Sequence, residues 1–124
     1  MTVSFFHSGG PVMASYRYRA TIPAQQIGAT LNDETAKVWV LAKPVPADVT
    51  RLTRALADTI IVMDVCDPHF HTAHYQTLLR QAHLVTVPTE WMADYIRSSF
   101  GREATVIPDP YEFPARTPHV FGTR

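Results

Sequence analysis

The feature that most constrains the fold is a nearly continuous apolar run at 59–63, which a polar loop at 64–71 follows directly. Such a run is typical of a strand that is buried on both faces of a parallel sheet. In open α/β sheets, ligands bind at the edge formed by the carboxyl ends of the strands. The sequence therefore predicts a buried strand whose end contributes to a ligand-binding edge.

Predicted strands alternate with predicted helices along the rest of the chain. Strands are expected at 3–7, 29–31, 37–42, 59–63, 83–87 and 105–107, and helices at 21–27, 48–57, 72–82 and 90–100, with a polar loop at 14–19. This alternation predicts an α/β fold, a doubly wound, mostly parallel sheet with helices on both faces and right-handed crossovers. We expect a single Rossmann-like domain over 1–112, with 37–42, 59–63 and 83–87 as interior strands, and an irregular tail at 113–124.

Composition narrows the classes of partner and compartment. Eleven basic and eleven acidic residues cancel, so no overall field favours a nucleic-acid partner. The single cysteine, Cys66, excludes an intrachain disulfide and suits a reducing, cytoplasmic compartment. No apolar run approaches the roughly 18 residues of a membrane span, so none is expected.

A first candidate site follows the first strand and combines a glycine turn with two arginines. Backbone N–H groups at such a turn can approach a phosphate, and arginine binds phosphate or carboxylate in a bidentate manner. A surface loop with solvated arginines is an equally compatible interpretation, and the pattern is not a dinucleotide-binding fingerprint. The residues are Gly9, Gly10, Ser15, Tyr16, Arg17 and Arg19.

A second candidate site is the acidic and histidine-rich segment after the buried strand, which contains Asp64, Cys66, Asp67, His69, His71 and His74. Histidine and carboxylate are ligands of zinc and iron, but no second cluster of such residues exists, so we predict no metal. The preferred interpretation is that Asp64 and Asp67 hydrogen-bond the strand-to-helix turn or contact a substrate hydroxyl. Cys66 is expected to be a small apolar filler.

A third candidate site is the beginning of the last helix. Thr89 is predicted to be its N-cap, and Glu90 lies in the positive first turn. A contact from these two residues to a sugar hydroxyl is the weaker alternative. Trp39 is predicted to lie in the core, and Trp91 is predicted to pack the last helix.

Taken in order, these segments resemble the N-terminal domain of GT-B glycosyltransferases, in particular the family-4-like group. The similarity extends over about residues 3–112, nearly the whole chain. The matching segments are 15–19 followed by 22–24, the strand-end Lys43, 62–70, 82–89 with 91–93, and 106–110.

The resemblance implies the acceptor-side half of an enzyme that transfers a sugar from a nucleotide-sugar, a substrate rather than a cofactor, to a hydroxyl acceptor without a metal. Asp64, Asp67 and His69 would then lie near the acceptor, where one of them could act as general base. Arg17, Arg19 and Lys43 would hold anionic groups. Because the donor is normally bound by a second domain, we expect the chain to be inactive alone and to associate with a donor-domain protein or with another copy.

Two alternatives remain open from the sequence. The chain could be a non-catalytic binding or regulatory module that kept the fold without the chemistry. It could also be a small metal-dependent hydrolase that uses the Asp and His residues of segment 64–74.

Overall fold

The structure, a computed structural model of the chain, describes residues 1–9 and 12–108. Six strands in this part of the chain form one all-parallel sheet with the order β2-β1-β3-β4-β5-β6. They are β1 (Val3–Phe6), β2 (Thr30–Leu31), β3 (Val38–Ala42), β4 (Ile60–Asp64), β5 (Leu84–Val87) and β6 (Thr105–Val106). The predicted α/β fold is confirmed, and so are the three predicted interior strands, β3, β4 and β5. The predicted tail at 113–124 lies outside the described residues.

The helices agree with the sequence in the second half of the chain and differ in the first. They are α1 (Ala14–Tyr16), a π-helical turn (Arg17–Thr21), α2 (Ile22–Ile27), α3 (Pro46–Leu52), α4 (Ala73–Gln81) and α5 (Glu90–Phe100). The first three follow one another without a break, so the predicted polar loop at 14–19 is wrong. The polar composition of segment 14–19 was misleading, because the apolar contacts of this helical run come after it. Ala20 and Ala24 are buried one helical turn apart and pack against Phe5 of β1.

The ends of the helices are set by local hydrogen bonds. At α3, the Asp48 side chain accepts a hydrogen bond from the Val45 backbone N–H at 2.8 Å and so fixes the first turn. This helix ends at Leu52, and the predicted extension to Ala57 is wrong; Leu56 is 72% exposed. At α5, the Thr89 hydroxyl accepts from the Met92 N–H, which confirms the predicted N-cap.

Helices cover both faces of the sheet, which confirms the doubly wound arrangement. One face packs against α3, α4 and α5, and the π-helical turn with α2 covers part of the other face over β1 and β3. The main core lies on the first face and contains Phe6, Trp39, Leu41, Ile61, Met63, Tyr75, Leu78, Leu79, Val85, Val87, Met92 and Ile96. From β1 the chain passes to β2 on one side, whereas β3 to β6 follow on the other side. The direction of winding therefore reverses between β1 and β3, which is where ligands bind in sheets of this order.

The two tryptophans have opposite surroundings. Trp39 is 1% exposed, as predicted, and its indole N–H donates to the Ala36 carbonyl. Trp91, on α5, is 61% exposed and so contributes little to the core. Its ring instead lies beside Tyr95, which stacks on Phe70 with 4.8 Å between the ring centroids. Within the described residues, no helix combines the length and the apolar character needed to cross a membrane.

Candidate functional site

The winding reversal brings His7 and Lys43 to the same edge of the sheet. His7 directly follows β1, and Lys43 directly follows β3. Lys43 has a φ of 50°, a left-handed conformation that non-glycine residues adopt rarely and that is often found at functional sites. Its backbone N–H donates to the Asp64 carbonyl at 3.0 Å, which ties the end of β3 to the end of β4.

Three charged or titratable side chains meet beside this point, and we call them the Lys43–Asp67–His69 cluster. The Lys43 Nζ lies 3.6 Å from Asp67 Oδ2, and the His69 Nε2 lies 3.8 Å from the same oxygen. Both distances exceed a direct hydrogen bond, so a water molecule or a ligand hydroxyl can bridge them. The exposed fractions of the three side chains are 29%, 42% and 54%, which leaves them accessible to a ligand.

The loop that carries Asp67 and His69 is anchored at both ends. At its start, the buried Val65 donates its backbone N–H to the Thr86 carbonyl at 2.9 Å. At its other end, Phe70 is 4% exposed and stacks on Tyr95. The polar side chains of the loop are therefore presented to solvent from a fixed backbone.

Asp64, which was predicted to be catalytic, forms a buried ion pair with Arg19. The Arg19 Nε donates to Oδ2 of Asp64 at 2.9 Å, and an Arg19 terminal nitrogen donates to Oδ1 at 2.5 Å. The Thr86 hydroxyl also donates to Oδ1, at 2.6 Å. Asp64 and Arg19 are 4% and 5% exposed, respectively. This geometry favours a structural role for both residues over the predicted roles of acceptor base and anion holder.

The sequence interpretation missed His7, which is 7% exposed. Its Nδ1 accepts the Gly9 backbone N–H at 2.8 Å, so in the neutral ring the proton resides on Nε2, which lies 3.1 Å from the Ser15 hydroxyl oxygen. In this tautomer His7 donates to Ser15 and does not activate it as a nucleophile. Burial and the nearby Lys43 ammonium lower the pKa of His7. Its place directly after the first strand was the available signal, but Lys43, which lies near it at the edge of the sheet, is distant in sequence.

The glycine turn closes over the His7 ring. A Cβ atom on Gly9 would lie 2.8 Å from His7 Cε1 and 2.2 Å from the Met13 sulfur, so the absence of a side chain is required by packing. The Tyr16 and His7 rings meet edge-on, with 5.5 Å between their centroids. The predicted phosphate contact of this turn stays a prediction, and Gly10 lies outside the described residues. Arg17 lies over the Tyr18 ring, 5.7 Å from its centroid.

The other predicted residues have local roles. Thr89 caps α5, Glu90 is exposed in its first turn, and their contact to a sugar stays a prediction. His71 precedes the start of α4 at Ala73, so it does not share a helical face with His74. Among residues 1–9 and 12–108, no three His, Cys, Asp or Glu side chains are grouped so that they could hold a metal ion.

Comparisons with known proteins add no assignment to this geometry. No protein-family model matches the chain, and no curated protein or solved structure shows significant similarity to it. The fold is therefore established by the sheet itself, and the resemblance to GT-B glycosyltransferases stays a prediction.

Proposed function

We propose that this chain is the acceptor-side domain of a GT-B-like sugar transferase and binds a hydroxyl acceptor at the Lys43–Asp67–His69 cluster. The observation that carries the proposal is the position of this cluster, at the carboxyl ends of β3 and β4 and beside the winding reversal. An ammonium that donates, a carboxylate that accepts and an imidazole within 4 Å of it suit a neutral polyol better than a strongly charged ligand.

The proposed chemistry is a transfer to the acceptor hydroxyl. The hydroxyl oxygen bonds to the anomeric carbon of the donor sugar, the bond from that carbon to the nucleotide phosphate breaks, and the hydroxyl proton passes to a base. Asp67 and His69 are the two groups of the cluster that can accept this proton. Lys43 donates a hydrogen bond to a neighbouring acceptor oxygen and so orients the nucleophile.

The donor side of this reaction needs groups that neutralise the departing diphosphate and exclude water. In the proposed arrangement those groups come from a donor-domain protein or from another copy of the chain. We therefore expect that the chain alone neither hydrolyses UDP-glucose nor transfers its sugar. Turnover by the purified chain alone would contradict this division of labour.

A non-catalytic binding module is the second candidate, and the Arg19–Asp64 pair favours it. One of the two predicted catalytic carboxylates is buried and bonded to Arg19 and Thr86, which leaves Asp67 as the exposed carboxylate of the predicted set. The two candidates differ in their response to a donor-domain partner. Only the first predicts sugar transfer when the chain and its co-purified partner are supplied with donor and acceptor.

Acceptor binding is tested by titrating the ¹⁵N-labelled chain with methyl α-glucoside and with myo-inositol. Backbone amide shifts are expected to concentrate at 43, 65–67 and 69, and Asp67→Asn and Lys43→Met are expected to weaken binding about tenfold. The matched controls are Asp58→Asn and Lys37→Met, which remove an exposed Lys–Asp pair that precedes β3 and β4 at the opposite end of the sheet. Shifts centred elsewhere, or equal losses in both pairs of variants, would overturn the proposed site.

A further inference from the structure

An apolar cleft of about 250 Å³ lies on the sheet face that α2 partly covers. It opens near the carboxyl ends of the strands, between the helical run and the segment that follows β6. The apolar part of its wall is formed by Phe5, Tyr18, Pro23, Val40, Val62 and Ile107. A concave, mainly apolar site with few polar groups is the usual form of a small-molecule pocket.

Among the described residues, the two charged side chains that line the cleft pair with each other. Arg19 and Asp64 line it, but they form the bidentate pair, and Thr86 donates its hydroxyl to the same carboxylate. A further nitrogen of Arg19 donates to the Ile107 carbonyl at 2.6 Å. A charged ligand would lose its hydration here, and the lining residues that the structure describes offer it no net charge of opposite sign. The cleft therefore favours an uncharged ligand.

The volume sets the size of that ligand. An apolar cavity of about 150 Å³ holds one benzene molecule. The cleft is larger by about two thirds, so it accommodates roughly two fused rings rather than one. Phe5 and Tyr18 supply aromatic walls, and offset or edge-on contacts with them favour a planar ligand.

From this charge balance and this volume, we infer that the cleft binds an uncharged, largely apolar molecule or group about the size of two fused rings. Asp64, which lines the cleft, is three residues from Asp67, a reach of at most about 10 Å along the chain. One further step rests on the proposed function: this ligand is the apolar part of the acceptor whose hydroxyl lies at the Lys43–Asp67–His69 cluster. The binding itself does not require that function.

The test uses 2-naphthol and its charged analogue naphthalene-2-sulfonate, with the intact chain and NMR detection of the methyl groups of Val40, Val62 and Ile107. The wild-type chain is expected to bind 2-naphthol saturably and the sulfonate at least about tenfold more weakly. Val62→Phe fills the cleft and is expected to raise the Kd for 2-naphthol about tenfold or more. Leu84→Phe is the matched control, because Leu84 is 57% exposed on β5 and does not line the cleft.

Absence of saturable 2-naphthol binding, tighter binding of the sulfonate, or an equal loss in the Leu84→Phe variant would overturn the inference. If Val62→Phe does not fold by circular dichroism, Val40→Phe introduces the same bulk from the neighbouring strand. The cleft is judged by 2-naphthol binding to the wild type and to Val62→Phe, whereas the proposed function is judged by the loss of polyol binding in Asp67→Asn. Failure of the cleft and failure of the proposed function therefore give different results.

Discussion

Removing one partner of the Arg19–Asp64 pair is expected to destabilise the protein strongly. Asp64→Asn nearly preserves the shape of the side chain but removes the carboxylate charge that faces the Arg19 guanidinium, which is 5% exposed. Two charge-assisted hydrogen bonds are weakened, and each contributes about 1.5–3 kcal/mol. Breaking buried pairs costs about 3–5 kcal/mol, so we expect a loss of about 3–4 kcal/mol for Asp64→Asn. This is a large fraction of the roughly 5–15 kcal/mol that stabilises a typical domain.

The assay is urea unfolding followed by circular dichroism. With an m-value of about 1.5–2 kcal/mol/M, the expected loss moves the midpoint down by about 2 M. The double variant Arg19→Met with Asp64→Leu removes both charges and leaves apolar side chains. Its free energy of unfolding is therefore expected to exceed that of Arg19→Met alone and of Asp64→Leu alone by about 2 kcal/mol. Lys37→Met, in the exposed Lys37–Asp58 pair, serves as the control and is expected to change the midpoint little.

Two outcomes would refute this reasoning. A loss below about 1 kcal/mol for Asp64→Asn would place the pair with ordinary surface ion pairs. Additive losses in the double variant would show that the two side chains do not stabilise each other, despite their bidentate contact.

Three further predictions concern the edge of the sheet and α5. The folded-state pKa of His7 is below its ordinary 6.5, so the contribution of His7 to the free energy of unfolding is expected to be constant above that pH and to fall as the pH drops from 6.5 through the folded-state pKa. Urea unfolding of the wild type and of His7→Asn from pH 5 to 8 measures this contribution as the difference between the two pH profiles, and identical slopes would contradict it. Gly9→Ala is expected to displace the His7 ring and return its pKa toward 6.5, as followed by the ring proton shifts; an unchanged titration curve would argue against the close packing. Thr89→Ala is expected to lower the free energy of unfolding by about 1 kcal/mol through loss of the N-cap. If the variant unfolds at the same urea concentration as the wild type, the cap contributes nothing to stability.

The parts of the fold that could be predicted are those whose signals are local. The runs at 37–42 and 59–63 are apolar because one sheet face is buried there and the other is partly covered, and strand pairing in the structure follows them closely. α5 begins at Glu90 and ends at Phe100, as predicted, because Thr89 caps it and Gly101 adopts a left-handed φ of 65°.

The parts that were missed depend on partners far away in sequence. Arg19 is buried because Asp64 lies opposite it, and no pattern within segment 14–19 reveals that partner. His7 lies beside Lys43 at the edge of the sheet because β1 and β3 are neighbouring strands. No other histidine lies near His7 in the sequence, so no local cluster marked it as a site residue. The same limit applies to Asp64, which the sequence groups with Asp67 in one polar segment. In the structure Asp64 is the last residue of β4, and its side chain bonds to Arg19.

Arg19 joins three parts of the chain, and this affects the order in which they can fold. Its bonds to Asp64 and to the Ile107 carbonyl close loops of 45 and 88 residues. Contacts of such long sequence separation form late, because loop-closure entropy opposes them until the neighbouring strands are in place. We expect the helical run to dock after the sheet has assembled, and during synthesis the Arg19 charge would stay hydrated until β6 has left the ribosome. Folding kinetics of Ala24→Gly test this order, since a φ-value near 1 would show that α2 is already docked in the transition state.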